Sequence, residues 1–320
     1  MQKLKAWAAG KGRLAVLGME ELNETRRFIS GLKESGQLDN RFYRTYLVGL
    51  VGSASSPEPN WRSIIMLSCP RPAHRLTFEC DSEPFSCFIP PTYVGYRKLG
   101  GMLLRDLREF MGRKFPMTAI LRAPLKRLAV RSGLAAYGLN NITYSGDYGS
   151  YHQLVGFISE AELEPFCDDE PVQDMQLPVC ARCSVCARRC PTGAIDPERF
   201  LLHAEKCFTL FTENPGNLPA VHDKLAGEMP CLAGCLACQT VCPANKGKLK
   251  VEPAPVSFTT VETEYFLNHD GGWDGNGRRI DPVWRGIQGK LKILGMLHYQ
   301  NRIGRNLRFL MISSNRMFNM

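Results

Sequence analysis

The cysteines between Cys180 and Cys242 carry the densest potential chemistry in the chain. The first run, CARCSVCARRCPTGAI, sets Cys180, Cys183, Cys186 and Cys190 ahead of Pro191. The second, CLACQTVCPAN, sets Cys235, Cys238 and Cys242 ahead of Pro243. A C-x2-C-x2-C-x3-C-P run is a ligand spacing for paired 4Fe–4S clusters: three thiolates wrap one cubane and the fourth reaches the other. The proline closes the loop, since it fixes φ and has no N–H. Zinc is the rival reading, because paired C-x2-C units also build zinc sites. Three evenly spaced thiolates leave one over at a tetrahedral centre, however, and both runs end in Cys-Pro. Disulfides are the weakest reading. Nothing at the N-terminus looks secretory, and a reducing cytosol keeps thiols free.

The elements that must position these thiols lie in a chain of 320 residues with a formal net charge of +9. That length suggests two domains, or one with a long insertion. No stretch of eighteen apolar residues occurs, so no membrane span is expected, and the expected compartment is the cytoplasm. The positive surplus permits an acidic partner such as RNA without requiring one. It is concentrated near the end: after Asp281 no Asp or Glu follows, while Arg285, Lys290, Lys292, Arg302, Arg305, Arg308 and Arg316 do. The expected fold class is α+β. An N-terminal α/β domain (1–165) resembling a cofactor-binding domain precedes a ferredoxin-like double-cluster domain (166–250) and a short basic helical tail (251–320).

Residues 1–60 read as mostly helical, with Met19–Ser35 near helical period and GSASSPEPN as a loop. The apolar run Ser63–Cys69 reads as a buried strand. Residues 70–92, with five prolines, read as a long irregular stretch. In or beside it, Cys69, Cys80 and Cys87 lack ligand spacing and read as core or loop thiols. Tyr96–Lys114 is the clearest helix, with Leu99, Leu103, Leu107 and either Phe110 or Met111 on one stripe, ended by Pro116. A second helix begins near Pro124 and ends near Gly133. Ile142–Tyr144 and Leu154–Ile158 read as strands, HDGGWDGNGRR as a loop, and Ile287–Met317 as helical.

On these residues the chain resembles the epoxyqueuosine reductases, cobalamin-dependent iron–sulfur enzymes related to reductive dehalogenases. The resemblance is strongest where CARCSVCARRCPTGAI, KCFTLFTENPG and GCLACQTVCPAN follow in the family's order. It extends to LAVRSGLAAYGLNNITYSGDYGSYHQLVGFIS upstream and, more weakly, to GRNLRFLM near the end. It implies that Cys180, Cys183, Cys186 and Cys242 hold one 4Fe–4S cluster, and that Cys190, Cys207, Cys235 and Cys238 hold the other. Cys231 is left over, as a bystander or substitute ligand. The resemblance also implies cobalamin as a further cofactor, with a ferredoxin or flavodoxin as the low-potential electron donor to a monomer. The candidate cofactor wall is Gly133, Gly138, Asn140, Tyr148, Gly149 and Ser150, since glycines permit close backbone approach; glycine pattern alone fits tight turns equally well.

Three family residues are absent. Gly95-Tyr96-Arg97 stands where the family has Asp-Tyr-His, Leu139 where it has a lysine, and Leu125 nearest to a further acid. The missing aspartate, the family's proposed proton donor, counts against a tRNA base as substrate. Tyr93, Tyr96, Tyr148 and His152 are the polar alternatives, with Tyr96 and His152 chosen as catalytic candidates; the bland reading makes each structural. Three functions follow: a cobalamin-dependent reductase, a ferredoxin-like electron-transfer protein or subunit without cobalamin, or a zinc-stabilised RNA-binding module with salt-sensitive affinity.

Overall fold

The computed structural model describes residues 1–51, 60–112, 114–168, 175–214, 218–219, 229–268 and 282–313. Two compact units interleave along the chain. The first comprises 1–71, 97–184 and 195–205, and the second 72–96, 185–194 and 206–320. The boundary passes through the first cysteine run, between Ser184 and Val185.

The first unit is built on the strands β1 (Arg13–Gly18), β2 (Ser63–Pro70), β5 (Thr118–Ile120), β8 (His152–Ser159) and β9 (Phe166–Cys167), which form a five-stranded sheet in the order β5-β8-β2-β1-β9; β6 (Ala136–Tyr137) and β7 (Thr143–Tyr144) pair separately. Every pairing is antiparallel. This corrects the α/β expectation for the N-terminal region. A central antiparallel strand covered on both faces has the same continuous apolar run as a parallel one, so β2 alone could not tell them apart. Alternation along β2 serves both faces. Ile65, Leu67 and Cys69 pack with Trp7, Leu103, Leu107 and Phe157, while Ile64 and Met66 pack with Leu22, Leu128 and Ala129.

The helix Glu20–Glu34 agrees with its periodicity. β1 just before it was missed, because six residues carry too little pattern to displace a helical reading. The helix Tyr96–Met111 buries Leu103 and Leu107, with Leu99 and Met111 beside them; Phe110 is exposed. It ends before Pro116, because Gly112 takes a left-handed φ of 84° that stops the helix first. The helix Leu125–Arg131 follows Pro124, which is its N-cap rather than its first residue.

The second unit corrects the reading of 70–92 as irregular. β3 (Ala73–Phe78) and β4 (Phe85–Ile89) form an antiparallel pair, and β10 (Val251–Pro253) adds to β3 in parallel. The prolines misled: Pro84 immediately precedes β4, and Pro90 and Pro91 follow it, so none interrupts the β3–β4 ladder. The tail is thus not wholly helical, since β10 opens it. The helices Thr260–Asn268, Pro282–Leu294 and Gln300–Ser313 follow. They bury Phe266, Trp284, Ile287, Leu291, Leu307 and Leu310 in one core with Phe78 and Phe258. Some tail cations work inside this unit. Arg308 Nη1 donates to Phe266 O and Leu267 O at 3.1 and 2.9 Å, satisfying carbonyls at a helix C-terminus. Most of GSASSPEPN and all of HDGGWDGNGRR lie outside the described residues. Among the described residues no helix is long and apolar enough to cross a membrane.

Candidate metal centre

The second unit gathers most of the cysteines. Cys186 lies in the short helix Val185–Arg189 and Cys238 in Ala237–Thr240, and these two helices pack together. Cys190 is buried, and Ala194 N–H points at its Sγ at 3.2 Å. Cys207 is the N-cap of the helix Phe208–Glu213. Burial pushes its thiol up, hydrogen bonds from Thr209 pull it down, and the neighbouring Cys190 pushes it up again, so Cys190 and Cys207 lie within electrostatic reach. Buried thiols that repel one another's charge suit iron, whose positive charge would offset the thiolates.

Among the described cysteines none is in a disulfide. The segment after Pro230 is fixed to β4, where Phe88 N–H donates to Pro230 O at 2.7 Å and Leu232 N–H to Phe88 O at 2.9 Å. This carries Cys231 inward, where burial first, then Cys235 and Cys87, raise its thiol. Cys87, fully buried, is likewise raised by burial. Cys69 and Cys87 are core thiols, and Cys80 is half-buried with its Sγ near Phe78 O.

In the first unit Cys180 and Cys183 line a cavity of about 560 Å³ with Leu139, Gln176, Arg182 and Arg199 among its walls. Leu139 N–H approaches Cys180 Sγ at 3.4 Å. The residue standing in the lysine's place thus meets a cysteine through its backbone. Amide N–H groups aimed at sulfur are the surroundings a cluster thiolate needs, but among the described residues no three Cys, His, Asp or Glu side chains come together as a metal site.

The glycine segment is different. Gly133 (φ 82°) follows the helix Leu125–Arg131, and Gly149 (φ 57°) closes a turn whose carbonyl accepts from Ser145 N–H at 2.9 Å. A Cβ at Gly138 would meet Tyr144 at 2.6 Å, and one at Gly146 would strike the Arg13 guanidinium. These glycines serve this chain's own turns and packing. Asn140 is buried, donating to Tyr144 Oη at 3.0 Å, and Ser150 is buried beside half-buried Tyr148. One observation does suit a bound group. The Ser145 hydroxyl, fully buried at the start of this loop, has no hydrogen-bond partner among the described residues, and buried hydroxyls ordinarily have one. This hydroxyl is the one feature described in the loop that calls for a further polar partner, and it does not specify which group.

The catalytic candidates change standing. His152 is buried, with Nε2 on Thr143 O at 2.9 Å and Nδ1 on Ser68 Oγ at 2.9 Å. The carbonyl can only accept, so Nε2 carries the proton and Nδ1 accepts from the serine. Burial lowers the pKa to about 4 against the Thr143 hydrogen bond. His152 is thus buried with both ring nitrogens engaged and its neutral form favoured, a setting that suits the structural reading of this residue. Its folded pKa lies below the unfolded value of about 6.5. Between those values the unfolded chain binds the extra proton, so stability falls as pH drops from 6.5 toward 4 and is unaffected by this group above 6.5. NMR titration should find the imidazole neutral down to about pH 5; protonation near pH 6.5 would contradict this.

Tyr96, the first residue of its helix, is 56% exposed. Tyr93 is engaged: its hydroxyl donates to Glu213 Oε1, and burial raises its pKa well above the ordinary value, helped by the Glu213 charge. The Tyr93–Glu213 pair was not anticipated from sequence, since 120 residues separate the partners.

Three comparisons with known proteins bear on this arrangement. The family model of the 4Fe–4S double cluster binding domain matches residues 179–245. An epoxyqueuosine reductase of Bacillus subtilis (strain 168) is 31% identical over 189 residues, 55% of this chain and 45% of that protein. An uncharacterised protein of Geobacillus stearothermophilus is 30% identical over 168 residues, 49% of this chain and 71% of that protein. The chain spans about half the length of the epoxyqueuosine reductases it matches. A solved epoxyqueuosine reductase from Bacillus subtilis shares the fold over 98% of this chain and 81% of its own, with TM-score 0.65 and 21% identity. Another epoxyqueuosine reductase, solved with an epoxyqueuosine-modified tRNA stem loop, gives TM-score 0.66 at 21% identity over 98% of this chain and 80% of its own. The fold likeness thus reaches the first 120 residues, where the sequence resemblance is faint.

Proposed function

We propose that this chain, which carries the 4Fe–4S double cluster binding domain and is similar to the epoxyqueuosine reductases, is an iron–sulfur reductase in which two clusters relay single electrons to a corrinoid or substrate. The observation that carries the reading is the cysteine arrangement: Cys186, Cys190, Cys207, Cys235 and Cys238 share one unit, inside the matched domain and its spacing. The domain match favours iron–sulfur over zinc.

In this reading Cys180, Cys183, Cys186 and Cys242 hold one cluster, and Cys190, Cys207, Cys235 and Cys238 the other. A reduced ferredoxin or flavodoxin supplies the electrons. Of the residues first considered as a cofactor wall, Tyr148, Gly149 and Ser150 remain beside the buried Ser145 hydroxyl, and this loop would hold a corrinoid's polar edge. A bound corrinoid supplies a low-potential metal centre for substrate reduction. His152, neutral, joins β8 to Thr143 and Ser68 beneath this loop. Tyr96, exposed at a helix start, is the remaining proton-donor candidate. An epoxide-bearing tRNA base is the substrate class that the relatives' name suggests, and the C-terminal cations outside the helix-end contacts are where RNA would meet the chain.

Iron and cobalt per chain, measured on protein made anaerobically with cobalamin supplied and then desalted, test the reading. About eight iron with about one cobalt is the expected result. Eight iron without cobalt would remove the corrinoid as acceptor, and about one or two zinc in place of iron would overturn the whole reading.

A further inference from the structure

The GRNLRFLM segment resembles the family but has no role in the reading above. We infer that its Asn306 is a positioning residue for the second cluster, tying together the two chain segments that carry Cys207 and Cys235. The inference rests on the reading that these cysteines are cluster ligands.

Asn306 lies in the helix Gln300–Ser313 and is 3% exposed. Its Nδ2 donates to Thr212 O at 3.0 Å and to Leu232 O at 2.8 Å. Thr212 belongs to the six-residue helix that starts directly after Cys207. Leu232 opens the Leu-Ala-Gly turn that leads to Cys235. One buried amide group thus holds a carbonyl of each ligand-bearing segment. The same segments are joined a second time, since Gly234 N–H donates to Thr212 Oγ1 at 2.8 Å. Tyr93 supports the turn from the other side: a Cβ on Gly234 would lie 2.5 Å from its hydroxyl oxygen.

The side-chain type follows from the chemistry. The last carbonyls of a helix have no intrahelical donor, and here Thr212 O takes one from Asn306. Phe211 O and Asn214 O take theirs from Arg305, at 3.0 and 3.1 Å. Asn306 Oδ1 in turn accepts from Arg305 Nη2 at 2.8 Å and Nε at 3.1 Å. Only an amide offers two donors and an acceptor in this small volume. Aspartate keeps the acceptor and loses both donors, and leucine loses all three.

A cluster's reduction potential is set by hydrogen bonds to its sulfurs and by solvent exposure, and outer residues that orient ligands tune it. Releasing the Thr212 and Leu232 carbonyls lets each segment turn toward water. Cys207 and Cys235 then shift relative to one another, while the cysteines of the first cluster keep their own surroundings.

The test is a potentiometric titration of the full-length, anaerobically reconstituted protein followed by electron paramagnetic resonance. Dithionite supplies one electron to each cluster, taking it from the 2+ to the 1+ state. In Asn306→Asp the iron stays at about eight per chain. One cluster signal shifts its midpoint by at least a tenfold change in its reduced-to-oxidised ratio at fixed potential, about 59 mV for one electron, and the other is unmoved. Thr212→Val, which removes the Gly234 contact together with the hydroxyl's bond to Thr209 O but leaves Asn306 in place, shifts the same signal and covers the case in which Asn306→Asp does not fold. Both signals unmoved, or both displaced together, would overturn the inference. A wild-type chain without a pair of 4Fe–4S signals would sink the cluster reading, and this inference with it.

Discussion

Replacing Cys190 with alanine should cost the chain one cluster, lowering iron from about eight to about four per chain. The residue is buried, its sulfur faces the Ala194 amide, and it sits within electrostatic reach of Cys207. The side-chain oxygen beside its sulfur is the Thr192 hydroxyl, 3.7 Å away. A neutral hydroxyl is a poor substitute for a thiolate at iron. Cys231→Ala is the matched control. It removes a buried thiol that lies near Cys235 but outside the ligand set, and iron should stay at about eight. Iron analysis with visible absorbance reads both variants. Full iron in Cys190→Ala, or half in Cys231→Ala, would show that the ligand set is wrongly drawn.

Phe258→Ala should destabilise the second unit by about 3–5 kcal/mol. Its ring is fully buried, stacks on Phe78 at 5.0 Å and meets Phe266 edge-on at 5.1 Å. Its backbone continues the sheet, donating to Thr77 O at 2.9 Å and accepting from Glu79 N–H at 2.8 Å. Alanine keeps the backbone bonds and leaves a cavity between the β3–β4 pair and the C-terminal helices. That loss is a large part of a domain's usual 5–15 kcal/mol. Hydrogen exchange gives the cleanest reading. Amides of β3, β4 and the helix Gln300–Ser313 should lose protection, while those of β2 and β8 keep it. Uniform loss across both sets would mean that the two units unfold as one.

The departures from expectation share a cause. Cysteine spacing is local, because three thiolates reach one cubane only when the chain between them is short, so the sequence could name iron–sulfur chemistry unaided. The helices Glu20–Glu34 and Tyr96–Met111 were legible for a similar reason, since their apolar stripes repeat within a few residues. β2 was legible as buried, from seven residues of apolar run. Its antiparallel partners were not, because pairing direction is decided by strands more than forty residues away. β3 and β4 hid behind prolines that in fact flank them.

What the sequence alone determined, then, is the chemistry that short-range spacing dictates: the cluster ligands as candidates and the clearest helices and strand. Only the tertiary structure decided which polar side chains stay available for reaction. His152 became a neutral strut once Ser68 and Thr143 closed on its ring, and Tyr93 became a buried donor to Glu213. Asn306 gained its place between the Cys207 and Cys235 segments from carbonyls 94 and 74 residues away. Protonation and hydrogen bonding depend on burial and on partners remote in sequence, and those exist only after the chain has folded.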